Sequence, residues 1–95
     1  PKNPRIHRYI GIACSNLEWI EAAEKQFKIS FDLDPKSSEA ALYLTVLYAT
    51  CEQPKMDEAK KWYGKARDLG ARPDPAIEKL FREQEPQKDA QGAKK

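Results

Sequence analysis

Residues 21–37 read EAAEKQFKISFDLDPKS, and the parts of this stretch recur downstream at a fixed distance. Ala23, Lys25, Phe27, Asp32 and Leu33 reappear as Ala59, Lys61, Tyr63, Asp68 and Leu69, each 36 positions later. The end of the stretch, Pro35-Lys36-Ser37, has its own counterpart upstream in Pro1-Lys2-Asn3, at an offset of 34. That shorter offset also pairs Tyr9 with Tyr43, Ile10 with Leu44 and Ile12 with Val46, and a two-residue insertion around Gln53-Pro54 accounts for the change from 34 to 36. Self-similarity at a period between 20 and 50 residues marks an array of one supersecondary unit. An unrelated small helical bundle would have amphipathic helices but no reason to share an offset at so many positions.

Each unit reads as two helices. Asn3 can cap the first and Pro4 suits its first turn, so this helix is expected to run to about Asn16. The second is expected from near Trp19 to Leu33, ending before Pro35 because a residue preceding proline is pushed out of the helical region. Ser37 or Ser38 can cap the third, over Glu39 to Thr50. Its core sequence, AALYLTVLYA, is apolar almost all round, the mark of a helix covered on several sides. In the fourth helix Asp57 and Glu58 fall in the first turn and Lys65 and Arg67 near the last, matching the helix dipole, with Gly70 as a left-handed stop. A fifth starts at Asp74-Pro75 and has one apolar stripe, Ile77, Leu80 and Phe81, as expected of a helix that covers an exposed end. From Gln84 on, the composition lacks periodicity and large apolar residues and predicts a solvated tail. The organisation expected is therefore a repeat domain over 1–83, with units 4–37 and 38–73 and a capping helix 74–83, followed by a tail over 84–95.

The residues of these units resemble the tetratricopeptide repeat, whose pattern is Trp-x2-Leu-Gly-x2-Tyr, then Ala-x3-Phe, then Pro, over 34 residues. The first unit has Ile10-Gly11, Cys14, Ala23-x3-Phe27 and Pro35, with His7 in place of Trp and Cys14 in place of Tyr. The second has Leu44, Tyr48, Ala59-x3-Tyr63 and Ala66, with Ala41 for Trp and Thr45 for Gly. The resemblance covers residues 1–83 and implies an all-α fold, a right-handed α–α superhelix of helix-turn-helix repeats with a C-terminal capping helix. The residue types have a physical rationale: Gly11, Ala23, Ala59 and Ala66 let paired helices approach, and Phe27, Tyr48 and Tyr63 fill the space between them. Because Pro1-Lys2-Asn3 matches the end of a unit, further repeats upstream in a longer parent chain are also expected.

Members of this family carry partner segments on the concave face lined by the first helix of each unit. The resemblance places Arg5, Arg8, Tyr9, Ile12 and Asn16 there, and Glu39, Leu42, Tyr43, Val46 and Thr50 from the third helix. The implied function is a protein-binding scaffold for a peptide or partner segment. Two alternatives are a self-assembling or structural segment whose groove packs against neighbouring repeats, and an RNA-binding helical repeat. One branch of the family holds chaperone C-termini in a carboxylate clamp. Arg8 has the right type for that clamp, but Ile12 and Tyr43 stand where it needs Asn, so a chaperone-tail receptor is not expected.

Composition narrows the remaining classes. Apolar residues make up 40% and charged residues 34% of the 95, as in a small globular domain. The 17 basic and 15 acidic side chains are interleaved for a net charge of +2, which supplies no basic stripe for nucleic acid and no field for an anionic membrane. No run of some 18 apolar residues reads as a membrane span. No catalysis is expected: His7 is the only histidine and occupies a packing position, and no metal cluster, cofactor motif or glycine-rich phosphate loop is present. Cys14 and Cys51 lack Cys-x-x-Cys spacing and read as free thiols, which favours the cytoplasm, although a chain opening on Pro1 fits a fragment of something longer.

Overall fold

In the computed structural model, which describes residues 2–84, the chain folds into five helices and, among the described residues, no strand. They are α1 (Pro4–Asn16), α2 (Ile20–Leu33), α3 (Ser38–Thr50), α4 (Met56–Asp68) and α5 (Pro75–Gln84). The tail expected from Gln84 onward lies outside the described residues, apart from Gln84 itself, which closes α5.

Local chemistry sets most of the boundaries. The Asn3 side chain accepts from the Arg5 amide at 2.8 Å and Pro4 fills the first turn of α1. Ser37 accepts from the Ala40 amide at 3.4 Å and caps α3. Asp74 caps α5, its carboxylate accepting from Ala76 at 3.0 Å and Ile77 at 3.3 Å. Past the end of α4, Gly70 takes φ +106°. The turn between α1 and α2 is made differently, with Glu18 at φ +63°, where a side-chain-bearing residue costs about 1–2 kcal/mol.

The helices pair in sequence, α1 on α2 and α3 on α4, and α3 touches each of the other four. It is accordingly buried on several sides, through Ala40, Ala41, Leu44, Thr45, Leu47, Tyr48 and Ala49. The hydroxyl of buried Thr45 donates to Ala41 O at 2.9 Å, so its burial leaves no orphaned donor. Between α1 and α2 the separation is set by Gly11 and Phe27: a Cβ on Gly11 would stand 2.6 Å from two atoms of the Phe27 ring. Phe27 also stacks on Tyr43 of α3, with ring centroids 5.4 Å apart and planes 10° from parallel. Ser30, buried beside it, donates to Pro4 O at 2.7 Å and ties α2 to the start of α1.

Aromatic contacts continue the core toward α5. Phe31 of α2 meets Trp62 of α4 edge-on at 5.0 Å, and Tyr63 of α4 meets Phe81 of α5 at 5.5 Å. Trp62 is buried, and its ring partner is on α2; its neighbour Tyr63 is the residue that faces α5. The two Trp residues thus differ, since Trp19 in the α1–α2 turn is 60% exposed. No helix among the described residues is long and apolar enough to cross a membrane.

The Gly11 contact makes a paired prediction. Gly11→Ala forces a ring that is itself packed against α3 to move, and is expected to destabilise the domain by about 1–3 kcal/mol. Gly64→Ala, at an exposed position in α4 where a Cβ meets nothing within 4 Å, is expected to stabilise it by about 0.5–1 kcal/mol. Urea denaturation followed by circular dichroism reads both; equal effects of the two substitutions would show that Gly11 is not a packing position.

Candidate functional site

The face expected to bind a partner draws on α1 and α3. Arg5, Tyr9 and Asn16 are exposed on α1, with Arg8 and Ile12 half-buried. On α3, Glu39, Tyr43, Val46 and Thr50 are exposed and Leu42 is half-buried. Since the other sides of α3 are covered, Tyr43 and Val46 are the large apolar residues it leaves substantially in solvent, at 38% and 42%.

Two shallow grooves flank this pair. One, about 160 Å3, lies between α1 and α3 and is lined by Ile12, Asn16, Phe27, Tyr43 and Val46 among others. The second, about 220 Å3, lies between α3 and α5 and is lined by Glu39, Leu42, Tyr43, Val46, Asp74 and Ile77. Tyr43 and Val46 are thus a ridge shared by both grooves. Of the expected residues, Ile12, Asn16, Glu39, Leu42, Tyr43 and Val46 come together here, while Arg5, Tyr9 and Thr50 line neither groove. Thr50 borders a separate recess of about 510 Å3 with Ser15, Glu18, Ile20, Leu47, Cys51 and Glu52, where the α1–α2 turn meets the end of α3. Its hydroxyl is turned back to Val46 O at 2.7 Å.

Arg8 is engaged within the chain. Its guanidinium stands 2.9 Å from the Glu39 carboxylate, its side chain is only 15% exposed, and it also lies 5.8 Å from the centre of the Tyr9 ring. The pair clasps α1 to α3, so the positive charge of Arg8 is already answered at the surface, whereas Arg5 stays exposed. Asp74 and Ile77 were not anticipated as site residues. The cue was the expected packing of the fifth helix over the end of the domain, because a helix covering α3 and α4 must border any groove on α3.

Two phenols hold this platform together. Tyr48 of α3 donates to the carboxylate of Glu24 on α2, which also pairs with Lys28 at 3.3 Å. Burial, and then the hydrogen bond to Glu24, push the Tyr48 phenol well above its ordinary pKa. The same hydrogen bond holds Glu24 below the ordinary carboxylate value, outweighing its partial desolvation. Tyr63 accepts from the Asp74 amide at 2.9 Å and donates to Glu78 at 2.7 Å, anchoring the start of α5 on α4.

A further surface lies along α1. Ile6, Tyr9, Ile10 and Ala13 of α1, and Leu17 just past its end, are all exposed. Ile10 is 43% exposed although its repeat counterpart Leu44 is fully buried, because α2 packs on α3 and no helix packs on the corresponding side of α1 among the described residues. The one histidine, His7, is half-buried with Nδ1 2.7 Å from Gln26 Oε1, and Cys14 and Cys51 are free thiols. Among the described residues no group of three or more His, Cys, Asp or Glu is placed to hold a metal ion. Comparison with protein-family models, curated proteins and solved structures found no match to the chain.

The Glu24–Tyr48 hydrogen bond gives the stability a pH dependence on both sides. As pH falls through about 4.5, the unfolded chain takes up the Glu24 proton before the folded one does, so stability declines through the lowered folded pKa. As pH rises past about 10, the unfolded chain releases the Tyr48 proton first, and stability declines again. Both limbs are expected to be shallower in Tyr48→Phe, measured as the urea midpoint against pH; parallel profiles for the two proteins would rule the linkage out.

Proposed function

We propose that this chain is a tetratricopeptide-type array, a right-handed superhelix of helix-turn-helix units closed by α5. Its role is to bind a segment of another protein along the face shared by α1, α3 and α5, without catalysis. The reading is supported by the 34-residue period, by the pairing of α1 with α2 and α3 with α4, and by the glycine-on-ring contact at the position where the repeat pattern has glycine.

The observation that carries the binding role is the Tyr43–Val46 ridge. An otherwise buried helix leaves two large apolar side chains in solvent, with a groove on either side. A partner segment with apolar anchor residues would seat one in each groove and cover the ridge, and polar groups at the rim would orient it. Asn16 offers an amide at the α1 side and Arg5 lies exposed on the same helix, so an acidic group on the segment is expected toward α1. A second reading, self-assembly, is favoured by the apolar side of α1 and rests on a different surface.

Peptides selected from a random displayed library against the folded chain provide the test. Val46→Lys is expected to weaken the selected peptides by about tenfold or more, roughly 1.4 kcal/mol, while leaving the melting temperature within a few degrees. Val46 is the better probe than Tyr43, whose ring also supports Phe27. Lys25→Glu, on the exposed side of α2, is expected to leave binding unchanged. Selected peptides that bind Val46→Lys as well as the parent would place the binding surface elsewhere.

A further inference from the structure

We infer that the recess where the α1–α2 turn meets the end of α3 is a receptor for an arginine side chain carried by a segment of a partner protein. The recess holds about 510 Å3, within the roughly 300–1,000 Å3 of pockets that take a small ligand group. Glu18 and Glu52 bring two carboxylates to its lining, and Ile20 and Leu47 bring apolar surface. What the other polar groups can do is fixed by what they already do. The Thr50 hydroxyl gives its proton to Val46 O at 2.7 Å, and the Cys51 thiol lies 3.3 Å from Gln53 O and 3.6 Å from Tyr48 O, so each offers lone pairs alone. Glu18 and Glu52 are exposed acceptors, and among the described residues neither is in an ion pair. Apart from Ser15, whose hydroxyl can turn either way, the side chains of the recess present acceptors and call for a group made of donors.

The backbone adds charge of the same sign. Helix α1 ends at Asn16 and α3 at Thr50, so the C-terminal ends of two helices, each equivalent to about half a negative charge, lie beside the recess. Neither helix has a basic residue in its last turn, whereas α4 closes with Lys65 and Arg67. The base that follows α3, Lys55, is given to the Tyr48 ring, 6.0 Å from its centre. Glu18 is also held there at a conformational cost. It takes φ +63° one residue after Leu17, while in the matching place after α4 Leu69 is followed by Gly70 at φ +106°. The carboxylate in the recess is what a glycine at this position would lack. Arginine meets these terms better than lysine: its planar guanidinium has five N–H donors and no acceptor, enough to serve carboxylates and hydroxyl oxygens together. Its methylenes have Ile20 and Leu47 to lie on. The recess shares Ser15 and Leu47 with the groove between α1 and α3, so a segment lying in that groove can carry the arginine. Its lining includes none of the exposed apolar residues on the open side of α1, and its chemistry is set within α1, α2, α3 and the turns that follow α1 and α3.

Titration of the isotope-labelled chain with acetyl-Ala-Arg-Ala-amide, followed by NMR, tests the recess apart from the ridge, since this peptide has no large apolar side chain to seat beside Val46. Saturable amide shifts are expected at Ser15, Glu18, Thr50, Cys51 and Glu52, with a dissociation constant of about 1 mM. The same peptide with lysine in place of arginine is expected to bind about threefold more weakly, and with citrulline, which keeps the shape without the charge, not to bind. Glu18→Gln and Glu52→Gln are each expected to weaken the arginine peptide by about threefold, and together by about tenfold. Glu18→Gly separates the site from the fold: it removes the carboxylate and puts glycine at φ +63°, so it is expected to weaken the peptide as Glu18→Gln does while melting no lower than the parent. The proposal is overturned by shifts confined to other surfaces, or by none that saturate up to about 20 mM peptide. It is equally overturned by lysine or citrulline peptides that bind as well as the arginine one, or by full affinity in the doubly substituted chain.

Discussion

The seating of the Phe27 ring against the bare backbone of Gly11 governs the distance between α1 and α2, and much else follows from that distance. Because no Cβ intervenes, the ring can sit deep between the two helices and still present its other face to Tyr43, so one side chain links α1, α2 and α3. Its neighbour Ser30 adds a hydrogen bond to the opening turn of α1. In the second unit the corresponding positions hold Thr45 and Tyr63, and the solution differs: the Thr45 hydroxyl folds back to its own helix, while the Tyr63 hydroxyl becomes the anchor for the first turn of α5. The same scaffold position thus serves packing alone in one unit and packing with capping of the next helix in the other.

Centrality and exposure are joined in α3. A helix touched by every other helix has little surface to spare, and what remains is concentrated in Tyr43 and Val46, set between α1 and α5. The first-unit helix α1 has the opposite character. It shares the repeat pattern of α3 but is covered on fewer sides, and the apolar residues that the pattern calls for face solvent. Two surfaces result, a grooved one between helices and a plain stripe along one helix, and they suit different occupants: an extended segment in the first and another helix on the second.

Much of this architecture was legible in the order of residues. The helix ends follow from contacts within four positions, such as Asn3 with the Arg5 amide and Asp74 with those of Ala76 and Ile77, and local chemistry of this kind depends little on the rest of the fold. The apolar run from Ala40 to Ala49 predicted the buried centre. The placement of the candidate site was legible in part. Helical spacing placed the expected residues on shared stripes, but stripes on two helices become a groove only when the angle and separation of those helices are known. That is why Ile12 and Val46 meet across one groove while Arg5 and Thr50 do not border it.

What the order of residues determined by itself is therefore the set of helices and the buried middle. The tertiary structure alone decided that Arg8 spends its charge on Glu39, that Trp62 meets Phe31 and leaves α5 to Tyr63, that Asp74 and Ile77 border the site, and that Ile10 is open where Leu44 is closed. The physical reason is common to all four. Each depends on a neighbour far away in the chain, and a repeated pattern gives equivalent residues the same local structure without giving them the same neighbours.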